Sequence, residues 1–202
     1  SPLDDEYLGE NVYLNMINGA KRYVYITTPY LIVDSEMKTA LCLAAKRGVD
    51  VQIITPGIPD KKIVWDLTRS YYPELLSAGV HIYEYTPGFI HSKLCICDDE
   101  AAVTGTINFD YRSLYLHFEN ACLFIYTAVV LQAKMTFCVR RKNPRRSSLK
   151  IWGISKSIEV CSAVSITQFC GYLHRFCKKK SLGTLNQKMS IFVCEAIFSS
   201  TD

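Results

Sequence analysis

His91-Ser92-Lys93-Leu94-Cys95-Ile96-Cys97-Asp98, continued by Asp99-Glu-Ala-Ala-Val-Thr104 into Gly105-Thr106-Ile107-Asn108, is the stretch on which the reading of this chain turns. Polar and apolar residues alternate from 91 to 98, which predicts a strand with His91 and Lys93 on one face and Ser92, Leu94 and Ile96 on the other. Asp99-Glu100 predicts a turn and Ala101 to Val103 a second strand. Gly105 then lets the backbone bend, so that Thr106 and Asn108 return towards His91 and Lys93. An imidazole, a cation, a hydroxyl and an amide gathered in one hairpin suit chemistry at a phosphodiester. Attack at phosphorus builds charge on the non-bridging oxygens, and donors already in place there lower the barrier.

Outward from this hairpin, the preceding residues alternate between helical and strand patterns. Residues 5 to 20 carry apolar side chains at helical spacing with acidic residues at the start, and Arg22 to Thr28 reads as a strand. Asp34 or Ser35 caps a helix from Glu36 to Arg47 that Gly48 stops, and Val49 to Thr55 is the next strand. A single helix is expected over about residues 61 to 77, ended by Gly79, followed by a strand at Val80 to Tyr85. Strand, helix, strand, helix, strand and hairpin make an α/β sandwich lobe with a mixed sheet flanked by helices. Where the strands run parallel, the junctions Thr27-Thr-Pro-Tyr30 and Thr55-Pro-Gly-Ile-Pro-Asp60 should open on the edge that carries His91, the edge where ligand sites gather.

The pattern H-x-K-x4-D-x6-G-T-x-N resembles the signature of the phospholipase D superfamily. Longer strings resemble one branch of it, the C-terminal half of bacterial cardiolipin synthases: Tyr25-Ile-Thr-Thr-Pro-Tyr-Leu31, Ala44-Ala-Lys-Arg-Gly-Val-Asp-Val51, Tyr83-Glu-Tyr-Thr-Pro-Gly-Phe-Ile-His91 and Asn108-Phe-Asp-Tyr-Arg-Ser-Leu-Tyr-Leu-His-Phe-Glu-Asn120. The resemblance implies transfer of a phosphatidyl group between two phosphatidylglycerol molecules, giving cardiolipin and glycerol, with neither metal nor cofactor. Carried over by position, it implies that His91 is the covalent nucleophile and that Lys93 and Asn108 bind phosphate oxygens. Thr106 adds a hydrogen bond there, Glu119 orients His91, and Asp98 has a partly structural role. Cys95 and Cys97, alternating with apolar residues, read as small core fillers. His81 and His117 lack a partner at catalytic spacing and read as ordinary strand or loop residues.

The implied partners are a phospholipid substrate, a membrane surface and a second motif-bearing lobe, because such enzymes face two motifs across one site and this chain holds one. Full-length synthases carry membrane-spanning helices and reside in the cell membrane, whereas no apolar run here is long enough to span a bilayer. The expectation is a partial chain whose first half lies upstream, with pairing of two copies about a twofold axis as the other solution. A homodimeric phosphodiesterase or nuclease and an inactive remnant are the competing functions.

Charge divides the chain. Residues 1 to 126 hold 10 Lys and Arg against 16 Asp and Glu, net −6, while residues 127 to 202 hold 13 against 3, net +10. The acidity of the first part argues against a nucleic-acid groove there, although the basic runs Arg140 to Arg146 and Lys178 to Lys180 could bind anionic surfaces. The division expected is a catalytic lobe over 1–134 and a basic, cysteine-containing tail over 135–202. The tail does not resemble the family, and a frameshift near residue 135 would explain it. Cys161, Cys170, His174 and Cys177 match no common zinc spacing. Nine cysteines without regular spacing read as free thiols rather than a disulfide framework.

Overall fold

The computed structural model describes residues 5–142, 149–151 and 190–195, the last two segments by their backbone. Helix α1 (Leu8–Gly19) leads into strand β1 (Tyr23–Thr27), the short strand β2 (Leu31–Ile32) and helix α2 (Ser35–Lys46). Asp34 caps α2 by accepting the Met37 N–H at 2.8 Å, and Gly48, at φ +89°, turns the chain out of it. Strand β3 (Asp50–Pro56) follows, then α3 (Lys62–Ser70), α4 (Tyr72–Ser77) and β4 (His81–Tyr85). One helix was expected across 61 to 77. Pro73 lies in the first turn of α4 and supplies no N–H to a continuing ladder, so the helix breaks at Tyr71.

Strand β5 covers Leu94–Cys97 and pairs with β6 (Ala101–Gly105), with Asp98 and Asp99 at positive φ in the turn between them. His91 to Lys93 therefore precede the strand rather than belong to it, which corrects the expectation of a strand over 91 to 98. Strand β7 (Phe109–Asp110), a π-helical turn over Arg112–Leu116, β8 (Asn120–Ile125) and α5 (Ala128–Lys142) complete the continuous part. Strands β9 (Leu149–Ile151) and β10 (Ser190–Glu195) lie at opposite edges of the sheet.

The main sheet has the order β10-β8-β6-β5-β1-β3-β4-β9 and is mixed. Strands β1, β3 and β4 are parallel, and β5 runs antiparallel to β1 with Thr27 opposite Leu94. That register brings His91 and Lys93, just before Leu94, to the edge where the parallel strands end and where the 28–34 and 57–61 connections emerge. Both faces of the central strands are covered, so β5 is buried at every position. Cys95 and Cys97 face the core built with α1, α2, α3 and α4, whereas Leu94 and Ile96 face a second core that includes Val130 and Phe137 of α5. The two cysteines are core fillers, as expected. Helix α5 runs unbroken through residue 134, and Phe137 is fully buried under the sheet. The zinc-spacing residues 161 to 177 and the Lys178 to Lys180 run lie outside the described residues.

Candidate active site

The site is assembled at one sheet edge by three connections. The segment before β5 supplies His91 and Lys93, the bend after β6 supplies Gly105, Thr106 and Asn108, and the approach to β8 supplies Glu119. These six residues line one cleft of about 470 Å³. Gly105 has a steric reason: it pairs with Ala121, and a Cβ there would run into the backbone of Asn120 and Ala121. The bend is then held by the Thr106 N–H donating to the Asn120 carbonyl at 2.8 Å. Beneath it, Tyr13 stacks on Phe109 with ring centroids 4.4 Å apart and donates to the Ile107 carbonyl at 3.1 Å.

Lys93 is fixed at both ends. Its carbonyl accepts the Thr104 hydroxyl at 3.1 Å, and its ammonium donates to the His91 carbonyl at 2.9 Å. Burial, reinforced by the Lys93 charge, lowers the His91 imidazole below its ordinary range and favours the neutral ring that can act as a nucleophile. Burial also lowers the Lys93 ammonium, against the opposing pull of the Glu119 and Asp110 carboxylates. Asp110 sits behind the cleft, pushed up by burial although its Oδ1 accepts the Ser113 N–H at 2.7 Å. Asn108 donates to the Ser113 hydroxyl at 3.0 Å, and its buried Oδ1 has no partner among the described residues.

Thr106 and Glu119 behave differently from the expectation. The Thr106 hydroxyl donates to Glu119 and accepts the Asn120 N–H at 2.9 Å, so its single proton is already engaged within the protein. Glu119 is nearly buried and also faces His117, whose Nδ1 lies 3.7 Å from its Oε1, rather than bonding to the His91 ring. Arg112 in turn donates from Nε to His117 Nε2 at 2.6 Å. A nitrogen that accepts from a guanidinium carries no proton, so this contact favours the Nδ1–H tautomer of His117. Sequence reasoning left His117 as an ordinary residue. Its only signal was its place two residues before Glu119 in an extended segment, where positions i and i+2 share a face.

Asp98 lies away from this group, at the other end of β5. Its carboxylate accepts the N–H groups of Lys21 at 2.6 Å, Arg22 at 2.9 Å and Tyr23 at 2.8 Å, which tie the start of β1 to the β5–β6 turn. Burial alone would raise Asp98, but these donors and the Arg22 charge outweigh it and hold the carboxyl below its usual range. The arrangement is that of a structural clamp.

Residues 13–138 match the family model described as cardiolipin synthase, phospholipase D-like domain. The chain belongs to this phospholipase D-like family. Among curated relatives of this family member, an uncharacterized protein of Streptococcus mutans is 58% identical over 146 residues, 72% of this chain and 32% of the relative. The cardiolipin synthase of Halalkalibacterium halodurans is 50% identical over 118 residues, 58% of this chain and 24% of the relative. The phospholipase D-like chain thus spans about a third or less of the length of these relatives. Among solved structures, the phospholipase D family member Nuc of Salmonella typhimurium aligns with TM-score 0.57 at 19% identity, covering 71% of this chain and 90% of that one. Phosphatidylserine synthase of Haemophilus influenzae aligns with TM-score 0.55 at 15% identity, covering 85% of this chain and 42% of that one. Both show the fold.

Among the described residues, the one group of carboxylates close enough to share a metal ion is Glu10, Asp34 and Glu36. Tyr115 and the Met37 N–H already engage the first two. No helix among the described residues is long and apolar enough to cross a membrane.

Proposed function

We propose that this lobe is one half of a cardiolipin synthase site that transfers a phosphatidyl group through His91. The observation that carries the reading is the single cleft into which the chain brings His91, Lys93, Asn108 and Glu119 from three separate connections. In the proposed step an imidazole nitrogen of His91 attacks the phosphorus of phosphatidylglycerol. A P–N bond forms, the P–O bond to glycerol breaks, and the leaving oxygen takes a proton from an acid on a facing lobe. The hydroxyl of a second phosphatidylglycerol then gives its proton to that group and attacks phosphorus, which releases His91 and yields cardiolipin. Lys93 and the Asn108 amide stabilise the charge that collects on the phosphate oxygens. Thr106 acts from behind, keeping Glu119 in place, and Glu119 offsets the Lys93 charge.

The facing lobe is either a second motif-bearing segment of a longer polypeptide or a second copy of this chain. The coverage of 90% of the Nuc chain favours keeping a second reading, a self-paired phosphodiesterase acting on simpler diesters, because a single lobe of this fold makes up nearly that whole chain. Incubation of the purified chain with labelled phosphatidylglycerol, beside a His91→Ala control, separates the readings. His91-dependent cardiolipin supports the synthase. His91-dependent hydrolysis of a generic diester without cardiolipin supports the phosphodiesterase, and inactivity on both, with the fold intact, supports a lobe that is inert without its other half.

A further inference from the structure

We propose that Ile58, Ile63 and Phe89, with Lys61 and Lys62, form a docking surface for an anionic phospholipid bilayer that seats the cleft directly on the headgroup layer. The inference rests on the phosphodiester reading of the cleft and adds the surface that delivers the substrate. The three apolar side chains are 45%, 73% and 39% exposed, and the two lysines between them are exposed as well. Ile58 and Lys61 lie in the connection after β3, Lys62 and Ile63 open α3, and Phe89 lies in the segment after β4; the β3 and β4 ends are fastened together where the Gly57 N–H donates to the Tyr85 carbonyl at 2.7 Å. The packing there is tight enough that a Cβ on Gly57 would meet the Thr86 side chain at 2.8 Å.

This surface is continuous with the cleft. The Phe89 and His91 rings lie 5.5 Å apart, and the charge of Asp60 acts on His91. Leu116 and Phe118, which flank His117 just before the cleft residue Glu119, are 38% and 40% exposed. The polar floor is therefore rimmed by apolar side chains, which suits a substrate with a charged phosphate above acyl chains more than a fully soluble diester. The start of α3 is also tied to the end of β3. Trp65, one turn into α3, donates its indole N–H to the Pro56 carbonyl at 3.0 Å, and Arg69 covers its ring at 4.0 Å. Three exposed apolar side chains beside two exposed lysines match the bilayer interface, where apolar groups enter the acyl boundary and Lys pairs with anionic headgroups. Each such Lys is worth roughly a fivefold gain in partitioning onto an anionic surface.

Trp65 provides the readout. In the full chain carrying Trp152→Phe, Trp65 is the remaining indole. Vesicles of phosphatidylcholine and phosphatidylglycerol with brominated acyl chains should quench and blue-shift its emission. Ile63→Asp should weaken that quenching at least about tenfold, and Lys61→Glu with Lys62→Glu should lower its dependence on phosphatidylglycerol by at least about tenfold. Ile63 is exposed, so Ile63→Asp should keep the thermal midpoint and turnover of a short-chain monomeric diester. Co-sedimentation without Trp65 quenching would mean that the basic tail alone binds lipid and would overturn the proposal. Quenching that survives Ile63→Asp would overturn it too, as would a change of oligomeric state in place of a change in vesicle binding. The quenching needs no turnover, so an inactive His91 would not register as failure of the docking surface.

Discussion

Arg112 donates from Nε to His117 Nε2 at 2.6 Å, and that contact decides which nitrogen of the His117 ring carries the proton. Nδ1 of that ring faces Glu119 at 3.7 Å, and Glu119 in turn accepts the Thr106 hydroxyl. Nitrogen-15 spectra of the His117 ring should show the Nδ1–H tautomer. Arg112→Ala should return the ring to the mixture of an unrestrained imidazole. His117→Asn, which can donate to Glu119 and accept from Arg112, should keep the Glu119 carboxyl resonance near its wild-type position, whereas His117→Ala should move it. An Nε2–H tautomer in the unmodified chain would contradict this arrangement.

Asp98 contributes stability rather than chemistry. Its carboxyl is held below the ordinary range, so the folded state releases the proton more readily than the unfolded state. The stabilisation is present above the unfolded value near pH 4 and is lost as pH falls through the folded value. Asp98→Ala leaves three backbone N–H groups without their acceptor and should cost about 2 to 4 kcal/mol in urea unfolding at pH 7. The cost should shrink in acid, while inorganic phosphate binding in the cleft should hold steady.

Glu10 titrates in the opposite sense. Burial first, and then the neighbouring Asp34, push it up to about 7, although the Tyr115 hydroxyl pulls the other way. Tyr115 lies 2.5 Å from Glu10 and 2.7 Å from Asp34, and one hydroxyl proton cannot serve two carboxylates, so the group is most stable with a proton on Glu10. The folded value exceeds the unfolded one. Its stabilisation is therefore complete below about pH 4.5 and is lost as pH rises through about 7. Glu10→Gln, a permanently neutral stand-in, should gain on the wild type by about 3 kcal/mol at pH 8 and by less than about 1 kcal/mol at pH 5. Equal gains at the two values would show that Glu10 holds no proton.

Phe137 carries much of the contact between α5 and the sheet, fully buried and stacked on Tyr25 with centroids 4.8 Å apart. Phe137→Ala should cost about 3 to 5 kcal/mol, and Phe137→Leu about 1 kcal/mol. A Phe137→Ala loss below about 1 kcal/mol would mean that the lobe is complete before that point of α5.

The sequence made the scaffold legible wherever a local rule decides the structure. Asp34 caps its helix, Gly48 and Gly79 leave theirs at positive φ, and Cys95 and Cys97 face the interior. Spacing alone also brought His91, Lys93, Thr106 and Asn108 into one neighbourhood, and the family resemblance added Glu119. It could not show how these side chains divide their bonds. Thr106 and Glu119 satisfy each other because β6 and β8 are adjacent, and His117 joins them because Arg112 reaches back over the π-helical turn. The start of β5 was misplaced because alternation continues through His91 and Lys93 after the ladder with β1 has ended at Leu94. The Tyr115 bridge joins groups more than 80 positions apart, beyond any periodic signal.

The most direct test of the account is to incubate the chain with phosphatidylglycerol, quench rapidly under alkaline conditions that preserve P–N bonds, and locate any phosphorus-bearing peptide by mass spectrometry. The account predicts an adduct on His91 that is absent from His91→Ala and that Lys93→Ala reduces at least tenfold. An adduct on His81, His117 or His174, or one that persists in His91→Ala, would contradict it.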